Sequence, residues 1–185
     1  EASEDLAPTA AAPVEPGFIS ELLPSGMKVS ILSDPNHPIV ATQMWVQVGS
    51  AHEANQELGF AHLFEHMMFA ATPTRERGEY ARFHTRIGGR RNAYTSYDET
   101  VYELTVPNDD DIVETGLDIL EDWLSFATID PDEVEAERGI VLDEWRSRSQ
   151  TSNGRVFDEF AEFHLAGSAY DGKSPIGGRE AIESI

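Results

Sequence analysis

The run Gly59-Phe60-Ala61-His62-Leu63-Phe64-Glu65-His66-Met67-Met68-Phe69 is apolar except for two histidines and one glutamate. Its length and composition predict a short buried helix. At about 100° per residue, His62 and His66 lie about 40° apart around the helix axis, and Glu65 falls on the same side. Three titratable side chains are therefore expected on one face of a helix whose other residues belong in a core.

Two imidazoles one turn apart can both bind a metal ion, and Glu65 can then face a water at that ion without binding the ion itself. The competing interpretation is a helix with two hydrogen-bonded core histidines. Burying three polar groups without partners costs several kcal/mol, and a metal ion accounts for that cost. Zn²⁺ suits two nitrogens, a carboxylate and one open position for water, so we favour a zinc site.

The 185-residue chain is long enough for one domain with a substantial core. Its 34 acidic and 13 basic residues give a formal net charge of -21, which argues against nucleic acid or an anionic membrane surface as a partner. The same charge would suit cationic peptides, or it serves solubility alone. No apolar run reaches the roughly 18 residues of a membrane helix. The absence of cysteine rules out disulfides and thiolate metal sites.

Residues 1–17 are rich in Ala, Pro and Glu and show no periodicity, which predicts a disordered acidic tail before a domain at 18–185. The first residue is Glu1 rather than Met. Such a start is typical of a mature chain after removal of a signal peptide, so we expect a periplasmic or secreted protein. A chain shortened at its start would have the same appearance.

Apolar periodicity and turn residues predict a series of strands and helices, with Asn108 as the N-cap of the third helix. The expected elements are strands at 18–23, 27–33 and 39–48 (the last a central strand), the helix around 59–69, a helix at 75–87, two strands within 90–106, and helices at 109–127, 131–149 and 155–165, with another from 179 onward.

The helix predicted at 131–149 carries Glu137 and Glu144, seven residues apart and hence within about 20° on one face. Val134 and Val141 share that face, so at least one of the two glutamates should point inward. Many other acidic residues crowd the same helix. Spacing therefore leaves open whether Glu144 is a third metal ligand or an ordinary surface acid.

Three separated blocks resemble the M16 zinc metallopeptidases, the family of pitrilysin, insulin-degrading enzyme and mitochondrial processing peptidase, in their bacterial periplasmic form. The blocks are the run at 59–69, the stretch Gly88-Gly89-x-x-Asn92-Ala93-Tyr94-Thr95 continuing to Thr100-Val101-Tyr102, and Glu137-Arg138-Gly139-Ile140-Val141-Leu142-Asp143-Glu144. The His-x-x-Glu-His order is the inverzincin motif. The resemblance implies an α+β fold with a mostly antiparallel sheet packed against helices. It would be the first α/β unit of a peptidase half, with the LuxS/MPP-like metallohydrolase fold.

The resemblance also implies a role for each matching residue. It makes His62, His66 and Glu144 the zinc ligands, Glu65 the general base, Glu137 a supporting carboxylate in the catalytic site, and Asn92, Ala93 and Thr95 part of an edge strand that binds substrate.

The implied function is that of a zinc metalloendopeptidase acting on peptides or unfolded proteins. Family members contain two homologous halves of two α/β units each, and this chain supplies only the first unit. We therefore expect the remaining domains later in the same protein or on a partner chain, and weak cleavage by this segment alone. The alternatives are a peptide-binding or scaffold subunit without catalysis, and an unrelated metal-binding domain. The intact motif argues against the first, and the coincidence of three blocks against the second.

Overall fold

The computed structural model describes residues 17–185, and the tail predicted before them lies outside the described residues. Gly17, predicted as the last residue of that tail, is instead the first residue of a strand. Strands β1 (Gly17–Leu22) and β2 (Lys28–Ser33) form the predicted antiparallel hairpin. Gly26, with φ of 88°, lies in its turn, where a left-handed backbone favours glycine.

A three-stranded antiparallel sheet forms the centre of the domain, from β3 (Ile39–Val46), β4 (Arg90–Thr95) and β5 (Thr100–Pro107) in the order β3-β5-β4. The prediction of a central strand at 39–48 is wrong, because β3 lies at an edge of the described sheet and ends at Val46. In β3 half-buried residues alternate with exposed ones, whereas β5 is buried along most of its length and occupies the centre.

The helices follow the predicted order with shifted ends. They are α1 (Phe60–Met67), α2 (Glu79–Ile87), α3 (Asp110–Ser125), α4 (Pro131–Ser149), α5 (Ser152–Leu165) and α6 (Arg179–Glu183).

Three helix starts differ from the prediction for local reasons. Helix α2 begins at Glu79 because Gly78, with φ of 80°, interrupts the chain just before it. The N-cap of α3 is Asp109 rather than Asn108, since the Asp109 carboxylate accepts a hydrogen bond from the Ile112 N–H. Helix α5 begins at Ser152 because Thr151 caps it.

Two clusters of buried side chains hold the elements together. The larger one joins α2, β5 and α3 and contains the aromatic residues Tyr80, Phe83, Tyr102 and Trp123. The smaller one consists of Leu63 and Met67 on α1, Val141 on α4, and Ile182 on α6. The predicted α+β fold with antiparallel sheets and helices is confirmed. Within residues 17–185, no helix has the length and apolar character needed to cross a bilayer.

Candidate metal centre

The small core cluster places α1 against α4. Leu63 and Met67 project from α1 and pack with Val141, which is fully buried on α4. On α1, His62 and His66 each precede one of these apolar residues in the sequence, and on α4 Val141 lies between Glu137 and Glu144. Apolar packing along this interface therefore also brings the polar residues of the two helices together.

Two imidazoles and one carboxylate converge at this interface. Nε2 of His62 lies 3.5 Å from Oε2 of Glu144, and Nε2 of His66 lies 3.7 Å from the same oxygen. One ligand atom from each of the three residues lies within 4.8 Å of the others. The two imidazole rings are 4.8 Å apart and nearly perpendicular. The structure thus brings His62, His66 and Glu144 together, the three residues that the resemblance implies as zinc ligands.

The donor set fits a divalent ion such as Zn²⁺. In a tetrahedral zinc site with bonds of about 2.1 Å, neighbouring ligand atoms are separated by roughly 3.4 Å, close to the spacings from Glu144 to the two histidines. Burial, followed by the neighbouring His66, lowers the pKa of His62 to about 4. The ring is therefore neutral near pH 7, which leaves one ring nitrogen with a free lone pair for a metal.

The other nitrogen of His66 has a carboxylate partner. Nδ1 of His66 lies 3.3 Å from Oε2 of Glu137, whose side chain is buried, and Arg77 donates from Nη2 to Oε1 of Glu137 at 2.6 Å. Arg77 also contacts Glu133 one turn earlier on α4. A carboxylate on the second nitrogen of a ligating histidine is the usual way to orient the ring. Glu137, to which the resemblance assigns a supporting role, lies beside His66, whereas Arg77 was not predicted.

Glu65 is buried beside the end of β4. Its Oε2 accepts a hydrogen bond from Oγ1 of Thr95 at 2.6 Å. Burial raises the pKa of Glu65, and the Thr95 hydrogen bond opposes this effect. A carboxylate with a raised pKa is a stronger base than a solvated one. Thr95, predicted as a substrate-binding residue, is thus linked to the predicted general base.

Strand β4 is the other edge of the described three-stranded sheet, as the resemblance implies. Among the described residues it pairs with β5 alone. Asn92 is exposed and donates to Glu103 on β5 at 3.4 Å, and Ala93 packs against the larger core cluster. One side of the β4 backbone therefore has no strand partner within residues 17–185, and an extended chain could form hydrogen bonds there.

A basic residue also contacts one of the candidate ligands. Arg148 on α4 pairs with Oε1 of Glu144, one turn away, while Oε2 faces the histidines. The four-residue spacing of Glu144 and Arg148 is a helical ion-pair pattern that sequence inspection could have detected. A cavity of about 870 Å³ opens beside this pair, with Thr95, Trp145 and Phe157 among its lining residues.

An α+β domain in which a His-x-x-Glu-His helix faces a glutamate from a distant helix has the architecture of an inverzincin-type metallopeptidase. The model of the family described as Insulinase (Peptidase family M16) matches residues 28–172, and the chain belongs to this family.

Relatives in this family extend beyond the present chain. "Probable zinc protease PqqL" of Escherichia coli K12 is 33% identical over 183 residues, which cover 95% of this chain and 19% of that protein. The crystal structure of the first half of the periplasmic protease PqqL from E. coli superposes with a TM-score of 0.81 at 32% identity, covering 92% of this chain and 38% of that one. A protease structure from Helicobacter pylori superposes with a TM-score of 0.84 at 26% identity, covering 92% of this chain and 41% of that one. The chain spans about a fifth of the length of the E. coli relative.

Proposed function

We propose that this chain is the metal-binding unit of a zinc-dependent metalloendopeptidase that hydrolyses peptides or unfolded proteins. The observation that carries the proposal is the convergence of His62, His66 and Glu144, with one ligand atom of each within 4.8 Å of the others. Membership of a family whose relatives include proteins named zinc proteases supports it.

The first task of the site is to hold the ion in one geometry. His62 and His66 on α1 and Glu144 on α4 would bind it, and Glu137 would fix the ring of His66 through Nδ1. When bound, zinc supplies a Lewis acid that acidifies a water molecule and polarises the substrate carbonyl.

Glu65 would act as the general base. It accepts a proton from the attacking water and passes it to the departing amine. Its burial raises its pKa, which favours acceptance of the proton from water, and the hydrogen bond from Thr95 fixes the direction of its carboxylate.

The substrate would bind as an added strand on β4. Backbone hydrogen bonds along Asn92, Ala93 and Thr95 would bind peptides with little demand on sequence, because they involve no side chains. The cavity beside Thr95 and Arg148 would accept side chains of the bound peptide.

The remaining features of the proposal concern the longer protein. We place it in the periplasm or outside the cell, because the E. coli relative is described as a periplasmic protease. We also propose that further domains, in the same protein or on a partner chain, complete the catalytic site. The 19% coverage of the E. coli relative supports this proposal.

Metal binding is the first test. We expect one Zn²⁺ per chain by metal analysis and competition titration. Glu144→Gln should weaken zinc binding by more than about 100-fold. That factor is the upper end of the loss expected when a residue that only orients a metal ligand is replaced. Asp143→Asn is the matched control, because this exposed neighbour pairs with Arg146 and should leave the affinity unchanged. Failure of the unaltered chain to bind zinc would overturn the proposal.

Catalysis is the second test, on the complete protein with a quenched fluorescent peptide, with and without a chelator. Glu65→Gln should retain zinc and lower the cleavage rate by about 10²–10⁴-fold, the usual contribution of a general base. Unchanged cleavage in this variant would remove Glu65 from its role. Zinc binding without any cleavage by the unaltered protein would instead favour a peptide-binding subunit.

A further inference from the structure

Helix α1 carries both candidate histidines but lacks a local cap. It has eight residues, and its N-cap is Gly59, which has no side chain and a φ of 106°. Helices this short are marginal unless other contacts hold their ends. The first N–H groups of a helix have no partner within the helix, so they bond to other parts of the chain or to water.

Glu53 supplies an anchor for the helix start from the loop before α1. Its side chain is buried, at 8% exposure, and both carboxylate oxygens accept hydrogen bonds from the helix start. Oε2 accepts from the Gly59 N–H at 2.9 Å, and Oε1 accepts from the Ala61 N–H at 2.6 Å. Ala61 immediately precedes His62. A negative charge at this end of a helix is also favourable.

The backbone of Glu53 is itself held by a distant loop. Lys173 donates from Nζ to the backbone carbonyl of Glu53, and Ser50, which is fully buried, donates from Oγ to the carbonyl of Lys173 at 2.6 Å. Because these contacts join residues more than a hundred positions apart, they fix the Glu53 loop relative to the rest of the domain.

The loop that contains Lys173 continues to Gly177, which lies against the start of α1. A Cβ atom placed on Gly177 would lie 2.6 Å from the Cα of Gly59, so the two backbones approach as closely as only glycines allow. The backbone at the start of α1 therefore contacts Gly177, and two of its N–H groups donate to the Glu53 carboxylate. These contacts leave the start of the helix little freedom to shift or rotate.

We propose that Glu53 is a positioning residue of the metal site, which acts by fixing the start of α1 and so the direction of His62 and His66. The inference rests on the proposed metal site. Glu53 touches neither histidine; it holds the two peptide groups that set the position and rotation of the helix. A change of even a few tenths of an ångström at this end alters the spacing between the imidazoles and Glu144.

The test compares Glu53→Gln with Glu57→Gln. In Glu53→Gln the side-chain amide keeps one acceptor oxygen and turns a donor toward an N–H group, so one hydrogen bond is lost. Glu57 is a matched control four residues away, because it is exposed and accepts from the Ala54 N–H at 3.0 Å. We expect the zinc dissociation constant to rise about 10- to 100-fold in Glu53→Gln and to stay unchanged in Glu57→Gln.

Two further measurements separate positioning from general stability. The visible spectrum of the Co²⁺-loaded chain reports ligand geometry, and we expect Glu53→Gln to alter it at temperatures where circular dichroism shows a folded chain. Glu53→Asp keeps both acceptor oxygens on a shorter side chain, and we expect its zinc affinity to lie between those of Glu53→Gln and the unaltered chain. A folded Glu53→Gln with unchanged affinity and spectrum would overturn the inference.

Amide exchange in the unaltered chain keeps the inference testable even if Glu53→Gln does not fold. The Gly59 and Ala61 N–H groups should exchange slowly, because each donates a hydrogen bond to the Glu53 carboxylate. Exchange at unprotected rates would refute the inference. If the unaltered chain and all variants fail to bind zinc, the proposed function fails. If zinc binds equally to the unaltered chain and to Glu53→Gln, only the role of Glu53 fails.

Discussion

The two candidate histidines are oriented by different means, although they lie on one helix. Nδ1 of His66 has Glu137 as its partner, whereas Nδ1 of His62 is buried and has no hydrogen-bond partner among residues 17–185. Nε2 of His62 lies 3.5 Å from Oε2 of Glu144, so the His62 ring has a carboxylate on one nitrogen only, whereas the ring of His66 has carboxylates near both. Substitutions in the charged network of Glu137 and Arg77 should act on the site through His66.

Arg77 is the outermost member of this network and allows a test. Arg77→Met removes the donor that holds Oε1 of Glu137, so Oε2 loses its fixed direction toward His66. We expect zinc affinity to fall about tenfold, the lower end of the effect of residues that support a metal ligand. Competition titration measures the change.

Arg82→Met is the control for loss of a positive charge in the same region. Arg82 is exposed on α2, and its removal should leave zinc affinity unchanged. Equal losses in the two variants would mean that overall charge, rather than the contact with Glu137, determines the effect. An unchanged affinity in Arg77→Met would contradict the proposed orientation of His66.

Helix α4 faces α1 across the site and carries three acidic residues of it and its surroundings, Glu133, Glu137 and Glu144. Its start is well defined by Asp130, whose carboxylate accepts hydrogen bonds from the N–H groups of Asp132 and Glu133. Pro131 follows the cap at the first helical position, where proline favours a helix start.

Loss of this cap should lower stability. We expect Asp130→Ala to reduce the free energy of unfolding by about 0.5–2 kcal/mol, the usual cost of removing an N-cap side chain. Urea denaturation followed by circular dichroism measures this change. Asp143→Ala, in the exposed middle of the same helix, should cost less than about 0.5 kcal/mol. A larger loss at Asp143 than at Asp130 would contradict the assignment of the cap.

The chain as a whole carries a formal net charge of -21, which opposes compaction through self-repulsion. Some of the described acidic groups are paired, such as Asp122 with Arg75, but acidic residues outnumber basic ones 34 to 13. Dissolved salt should therefore stabilise the fold by screening the excess negative charge.

Raising NaCl from about 0.01 M to about 0.15 M shortens the Debye length from about 30 Å to about 8 Å. We expect the melting temperature to rise by about 2–4 °C, equivalent to about 1 kcal/mol for a chain of this size. Thermal denaturation in the presence of a chelator excludes effects of bound metal, and KCl at the same concentrations is the control. A melting temperature that falls with salt would show that screened ion pairs outweigh the repulsion.

Much of the fold and of the candidate site follows from local sequence, since it depends on short-range periodicity. The spacing of His62, Glu65 and His66 places all three on one side of α1, and cap and turn residues predict most helices and strands near their observed positions. The prediction that β3 is a central strand was wrong for a physical reason. Strand order depends on pairing between distant segments, which the alternation of apolar residues does not specify.

The partners of the site residues required the folded chain. The helical spacing of Glu137 and Glu144 left open whether Glu144 is a third metal ligand or a surface acid. In the structure Oε2 of Glu144 lies 3.5 Å and 3.7 Å from the two imidazoles, and Oε2 of Glu137 lies 3.3 Å from Nδ1 of His66. Arg77 lies 60 residues from Glu137, and no pattern in the sequence relates the two. Periodicity acts within one element, whereas the contacts that orient a site form between elements whose distance only the packed core determines.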